Sequence, residues 1–262
     1  MKKSQGLRRK AQLVTVAASF AALIALVGGA ARAETVRLGN LIVSIDGSFS
    51  PKKLPKKAPA PITLKLSGSI KTVDGSHPPA LKTLSLEFDK HGSIQTKGLP
   101  TCTVGKLQNT LTSQAKRACG KALVGTGRVT ADIAFPEQAP FSAGGPLLIF
   151  NGPPKGGNPV LIMHVYAHVP APTTFVTTGV VGKAHGKYGT SVFIKIPTIV
   201  SGQGSLTSFT ATVQKAWTYK NKKQSLLLAS CPSGQLFAHG DFSFADGTEI
   251  SGNIAKGCTP AG

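Results

Sequence analysis

From residue 34 onward the chain is dominated by an apolar/polar period of two. Leu41, Val43 and Ile45 alternate with Ile42, Ser44 and Asp46. They predict a strand region over 36–49, with Asp46-Gly47 as a turn signal. Ile62, Leu64 and Leu66 alternate with Thr63, Lys65 and Ser67, and Leu84, Leu86 and Phe88 with Ser85, Glu87 and Asp89. The same period carries Val129, Ala131, Ile133 and Phe135, and predicts strands over 147–150, 160–169, 173–181, 191–196, 206–213, 217–219, 226–230, 236–244 and 248–254.

Two stretches break the period. Residues 51–61, PKKLPKKAPAP, hold four prolines and four lysines. Proline removes the ladder donor, so this predicts an extended surface connector outside any sheet interior. Residues 107–118 change to a helical period: Leu107, Leu111, Ala115 and Ala118 fall on one face, with Lys116 and Arg117 in the last turn and Gly120 as a stop. The pattern therefore predicts an all-β chain, an antiparallel β-sandwich or two packed sandwich-like halves, with one short helix near 107–118. ALKTLSLEFDK before Cys102 and SLTSFTATVQK before Cys231 are alike in pattern, which would divide the chain into halves of about 34–140 and 141–262.

The N-terminus is of another kind. Lys2, Lys3, Arg8, Arg9 and Lys10 precede an uncharged apolar run over 13–27, and Ala31-Arg32-Ala33 supplies a small-x-small cleavage pattern. Residues 1–33 are expected to be a signal peptide, leaving no membrane span after cleavage and a secreted or cell-wall-associated product. That segment carries six of the 30 Lys and Arg and no acid, so 24 bases and 10 acids remain, a net charge of +14. Such a charge favours contact with an anionic polymer such as wall phosphate or acidic polysaccharide. Lys52, Lys53, Lys56 and Lys57 form the densest cluster for that contact.

Four cysteines in an exported chain read as two disulfides. Of three connectivities, Cys102–Cys119 and Cys231–Cys258 each close a short loop within one supersecondary unit. No close C-x-x-C pair points to zinc.

The remaining constellations are weak. His164 and His168 sit in a strand pattern, where residues four apart lie about 13 Å from one another, too far to share a metal ion. Gly125-Thr126-Gly127 lacks the third glycine and the helix of a dinucleotide site. Trp217 and Tyr219 among Lys215, Lys220, Lys222 and Lys223 suit a lysine-guarded edge strand rather than specific nucleic-acid contact. The acids Asp46, Asp74, Asp89 and Asp246 sit in turn signals, and Glu87, Asp132, Glu137, Asp241 and Glu249 form no pair visible in sequence. No catalytic, cofactor-binding or metal-binding residue is assigned.

FSPKKLPKKAPAP, LEFDKHGSIQTKGLPTC, ACGKALVGTGR and the closing FADGT before Cys258 are similar in order and spacing to a group of uncharacterised exported proteins of high-GC Gram-positive bacteria. The resemblance covers nearly all of residues 34–262. It implies an exported β-rich protein and carries no activity, ligand or cofactor.

The expected function is that of an exported non-enzymatic protein contacting anionic wall or extracellular polymers through a basic surface. The alternatives are a secreted hydrolase or carbohydrate-active enzyme, recognisable by a cleft with placed carboxylates, and a small-ligand carrier, recognisable by a large apolar cavity.

Overall fold

A computed structural model describes residues 33–262. The signal peptide expected over 1–33 lies, but for Ala33, outside them. The strands are β1 (Glu34–Leu38), β2 (Leu41–Ser50), β3 (Lys53–Pro55), β4 (Ala60–Pro61), β5 (Thr63–Thr72), β6 (Leu81–Asp89) and β7 (Gly92–Ile94). Two short helices follow, α1 (Val104–Leu107) and α2 (Thr112–Cys119). Then come β8 (Leu123–Ile133), β9 (Phe141–Lys155), β10 (Asn158–Ala167), β11 (Thr173–Lys183), β12 (Tyr188–Lys195) and β13 (Gly204–Val213). The chain ends with β14 (Ala216–Tyr219), β15 (Lys222–Ser225), β16 (Leu227–Ala229), β17 (Gln235–Phe244), β18 (Glu249–Gly257) and β19 (Thr259–Ala261). The fold is all-β with a short helical insertion, as the periodicity predicts.

Twelve of these strands form one sheet in the order β1-β2-β5-β13-β8-β9-β10-β11-β12-β6-β17-β18, every pair antiparallel. Strands from before and after residue 140 interleave in it. The sheet curls until β18 lies beside β1 and β2, so it is nearly barrel-like rather than clearly a sandwich. No ladder joins these edges. At the seam Ile254 reaches toward Gly47, and Lys256 Nζ pairs with Asp46 Oδ1 at 2.5 Å. Alternation specifies which face of a strand is buried. It is silent on whether the buried faces oppose one another in two sheets or curl around in one.

Strand number explains the interior. A barrel of about eight strands has a lumen that side chains can just fill. With twelve, the excess space is flattened or left hollow, and this sheet does both. At one end the β1-β2-β5 wall packs directly on β6, β17 and β18 through Leu41, Val43, Ile45, Leu81, Phe242 and Phe244, all buried. The other walls stand apart. Curling there needs positions without a Cβ: on β8, a Cβ at Gly127 would fall on the Thr210 carbonyl, and on β9 one at Gly144 would fall on that of Val129.

The helical region lies on the outer face of β9 and β10. Leu107, Ala115 and Cys119 cover Leu148, Phe150, Val160 and Ile162. Because α1 and α2 cover this face, all four residues of Leu147–Phe150 are buried, alternating between the interior and the helices. The single helix expected over 107–118 is broken. Gln108 leaves helical geometry and Asn109 takes a positive φ of 55°. Leu111, expected on the buried face, is exposed at the start of α2, where its amide N–H donates to Gln114 Oε1 at 2.8 Å. Thr110 Oγ1 donates to the Leu107 carbonyl at 2.7 Å and closes α1. Satisfying the backbone groups of two helix ends thus outweighs burying one leucine. The disulfide Cys102–Cys119 ties this insertion, with Cα atoms 5.6 Å apart.

The second disulfide, Cys231–Cys258, has Cα atoms 6.2 Å apart and fastens one end of the curled sheet. There β16 pairs with β4 and β7, and β3 pairs in parallel with β19. The Pro-rich stretch is therefore not purely a surface connector. Leu54 is fully buried against Phe49, Ala229 and Cys231. Pro55, which has no N–H, still accepts from the Cys231 amide at 2.8 Å. Proline excludes the interior of a long ladder but not a three-residue edge. Among the described residues no helix is long and apolar enough to cross a membrane.

Candidate ligand cavity

The curled sheet encloses a cavity of about 600 Å3. This lies within the roughly 300–1,000 Å3 of small-molecule sites. Its wall is built by the inward residues of nearly every long strand. Leu161, Met163, Val165 and Ala167 of β10 face it along six residue steps, about 20 Å at the rise of a strand. Opposite stand Leu64 and Leu66 of β5 and Leu84 and Leu86 of β6. Small residues hold it open: Ala131, Ala143, Gly144, Ala167 and Ala211 contribute little volume where the packed end has Phe242 and Phe244.

The two ends differ. At one, the lining includes Val169, Pro170, Ala171, Thr173 and Thr198, all exposed, Val169 by 50%. This end is the mouth, with an apolar rim. At the other, Leu226, Leu227, Ala229 and Phe49 are buried and make a floor, held by the Cys231–Cys258 linkage behind it.

Two charged residues line the cavity, Asp89 and Lys256, both at the floor end and both 6% exposed. Asp89 Oδ1 accepts from the His91 amide at 2.9 Å and contacts His91 Nδ1 at 2.7 Å, while Oδ2 accepts from the Phe237 amide at 3.1 Å. Its hydrogen-bonding capacity is spent on the β6–β17 junction. Lys256 extends from β18 across the seam to Asp46. Nearby, the Lys52 ammonium sits 4.0 Å from the centre of the Phe49 ring. Burial, and then repulsion from Lys256, hold Lys52 below the usual lysine range.

The residues singled out in the sequence lie mostly elsewhere. Lys52, Lys53, Lys56 and Lys57 are all exposed around the outside of the floor end. Trp217 and Tyr219 belong to the separate β14–β15 hairpin, where Trp217 Nε1 donates to the Lys97 carbonyl at 3.1 Å. Gly125 and Gly127 are wall positions of β8. His168 is exposed, its ring edge-on to Tyr166. His164 is fully buried beneath the helices, on the outer face of β10. Its Nε2 donates to the Thr110 carbonyl at 3.0 Å, and burial lowers its pKa, so the ring is neutral. Among the described residues no group of three or more His, Cys, Asp or Glu is arranged to hold a metal ion.

Lys256 and Asp46 escaped the sequence reading. Asp46-Gly47 reads as a turn signal, whereas β2 continues through both residues to Ser50. Lys256 carried a usable signal: in EISGNIAK it continues the inward series of Ile250, Gly252 and Ile254, a lysine in an apolar register. No protein-family model, curated protein or solved structure matches the chain.

Proposed function

We propose that this protein binds an apolar small molecule inside its curled sheet and acts as a carrier or sequestering protein rather than an enzyme. The observation that supports this reading is the cavity itself: about 600 Å3, walled by aliphatic side chains and reaching solvent at one end. An unfilled apolar space forfeits dispersion contacts, so a chain that keeps one does so at a cost in stability. A hydrolase of sugars would use two placed carboxylates, and this cavity is lined by one, Asp89, already engaged. The two disulfides and the N-terminal segment support export to an oxidising compartment.

Titration with Nile red, a neutral dye that brightens in apolar surroundings, tests the proposal. Saturable binding is expected, and it should be lost in Ala211→Trp, which fills the cavity, while circular dichroism stays native. Absent binding, or binding indifferent to filling, overturns it.

Contact with anionic polymers is a second reading, favoured by the four exposed lysines at 52, 53, 56 and 57. Among the described residues only one lysine or arginine is ion-paired, Lys256, so most of the basic charge is free to act on a partner. Retention on teichoic acid or heparin that falls with salt is the expected result, and salt-insensitive flow-through would refute it.

A further inference from the structure

The cavity is apolar along its length but not at its floor, and that asymmetry points to the kind of molecule it takes. Lys256 is inward-facing, 6% exposed and part of the lining. An ammonium has three N–H donors. Among the described residues its one charged partner is Asp46, whose Oδ1 also accepts from the Gly47 amide at 2.8 Å. Lys52 adds a second positive charge close by, over the Phe49 ring. Asp89, one strand removed across β17, keeps its negative charge, but the His91 and Phe237 amides and the His91 ring hold its oxygens and it forms no pair with Lys256. Of the Lys256–Asp46–Lys52 group, Lys256 alone lines the cavity, and Asp46 and the exposed Lys52 stand beside it outside the lining, at the floor end of a tube about 20 Å long. A buried lysine is costly unless it is paired; the seam pair with Asp46 meets that need through one oxygen and leaves the ammonium further donors for a second acceptor.

We propose that the ligand is an anionic amphiphile, bound head-first, with its carboxylate or comparable head group on Lys256 and its hydrocarbon chain lying along β10 toward the mouth. This rests on the cavity being a ligand site. Lys256 supplies the charge-assisted hydrogen bond, Lys52 adds to the local positive potential, and Asp46 competes with the head group for the same ammonium. The apolar mouth then meets the ligand's methyl end.

Displacement of Nile red from the purified full chain by laurate, dodecanol and dodecylamine tests this, since the three share a tail and differ in head. Laurate is expected to bind at least about tenfold tighter than dodecanol. Lys256→Met should remove that preference, so that laurate binds no tighter than dodecanol in the same variant. Asp46→Asn should strengthen laurate alone, and it keeps the test decisive if the Lys256 variant does not fold. Equal affinity for laurate and dodecanol, with Nile red still bound, overturns the head-group inference and leaves the cavity reading standing. Preference for dodecylamine overturns it too, by showing that the floor reads cations. Failure of the dye and all three amphiphiles to bind overturns both.

Discussion

Two regions of the curled sheet's interior are made from the same kinds of strand and have opposite outcomes. Where β1, β2 and β5 meet β6, β17 and β18, Phe242 and Phe244 fill the space between walls and are 1% and 2% exposed. Along β8, β9, β10 and β13 the inward positions run to Ala131, Ala143, Gly144, Ala167 and Ala211, and the space stays open. Both regions read as alternating apolar strands. The difference lies in side-chain volume, and it teaches that burial pattern sets the wall while residue size decides whether the wall encloses a core or a chamber.

This contrast can be broken in graded ways. Phe242→Ala removes a filler of the packed end and should cost about 3–5 kcal/mol in denaturant unfolding. Replacing Cys102 and Cys119 together by serine should cost about 3 kcal/mol on the chain-entropy model, because the helical insertion is untied. That change lies outside the hollow wall, so molecules that still fold should bind Nile red as before. Enlargement separates the regions most directly. Val43→Phe overpacks the filled end and should cost about 1–3 kcal/mol, whereas Ala131→Leu grows into open space and should cost under about 1 kcal/mol while weakening dye binding. Parallel urea titrations of the two variants would show whether that difference exists.

The smallest effect is a pH dependence of the outer layer behind the chamber. His164 is held neutral by burial, its pKa lowered from the ordinary 6.5. Above that value the unfolded histidine is neutral as well, so the full stability is present. As pH falls below it, the unfolded chain binds a proton that the native ring resists, and stability drops until the native pKa is passed. His164→Gln should remove this component. The stability advantage of the native protein over the variant, followed by urea midpoints across acidic pH, should shrink on acidification; a constant difference would count against the assignment.

Much of the wall was legible in sequence. The long strands, the region of the helix and the two cysteine pairs follow from local pattern, because alternation, helical period and loop closure act over neighbouring residues; the short strands β3, β4, β7, β15 and β19 do not. The chamber was not, because it depends on which strands lie opposite one another. Leu147–Phe150 predicted a strand but not the helices on its outer face, though an unbroken apolar run is what a strand covered on both sides looks like. Leu54 hid among prolines and lysines, and its burial is decided by the approach of β19, more than 200 residues away in the chain. Asp46 looked like turn chemistry until β18 delivered Lys256 to it. Charge density pointed to Lys52, Lys53, Lys56 and Lys57, all exposed, yet the lysine that the fold takes out of water is an isolated one near the C-terminus.

The covalent fastening at residues 231 and 258 has a further consequence. A tube with one sealed end and one open end is a ruler. Whatever enters is measured from the fixed stop, so a guest shorter than the bore leaves void, one of matching length is fully wrapped, and a longer one protrudes past Val169 and Pro170. Affinity in a homologous series of chains should climb with each added methylene and then level off at the length where the tail reaches the rim. That break point would report the length of the bore, a property of this protein's architecture.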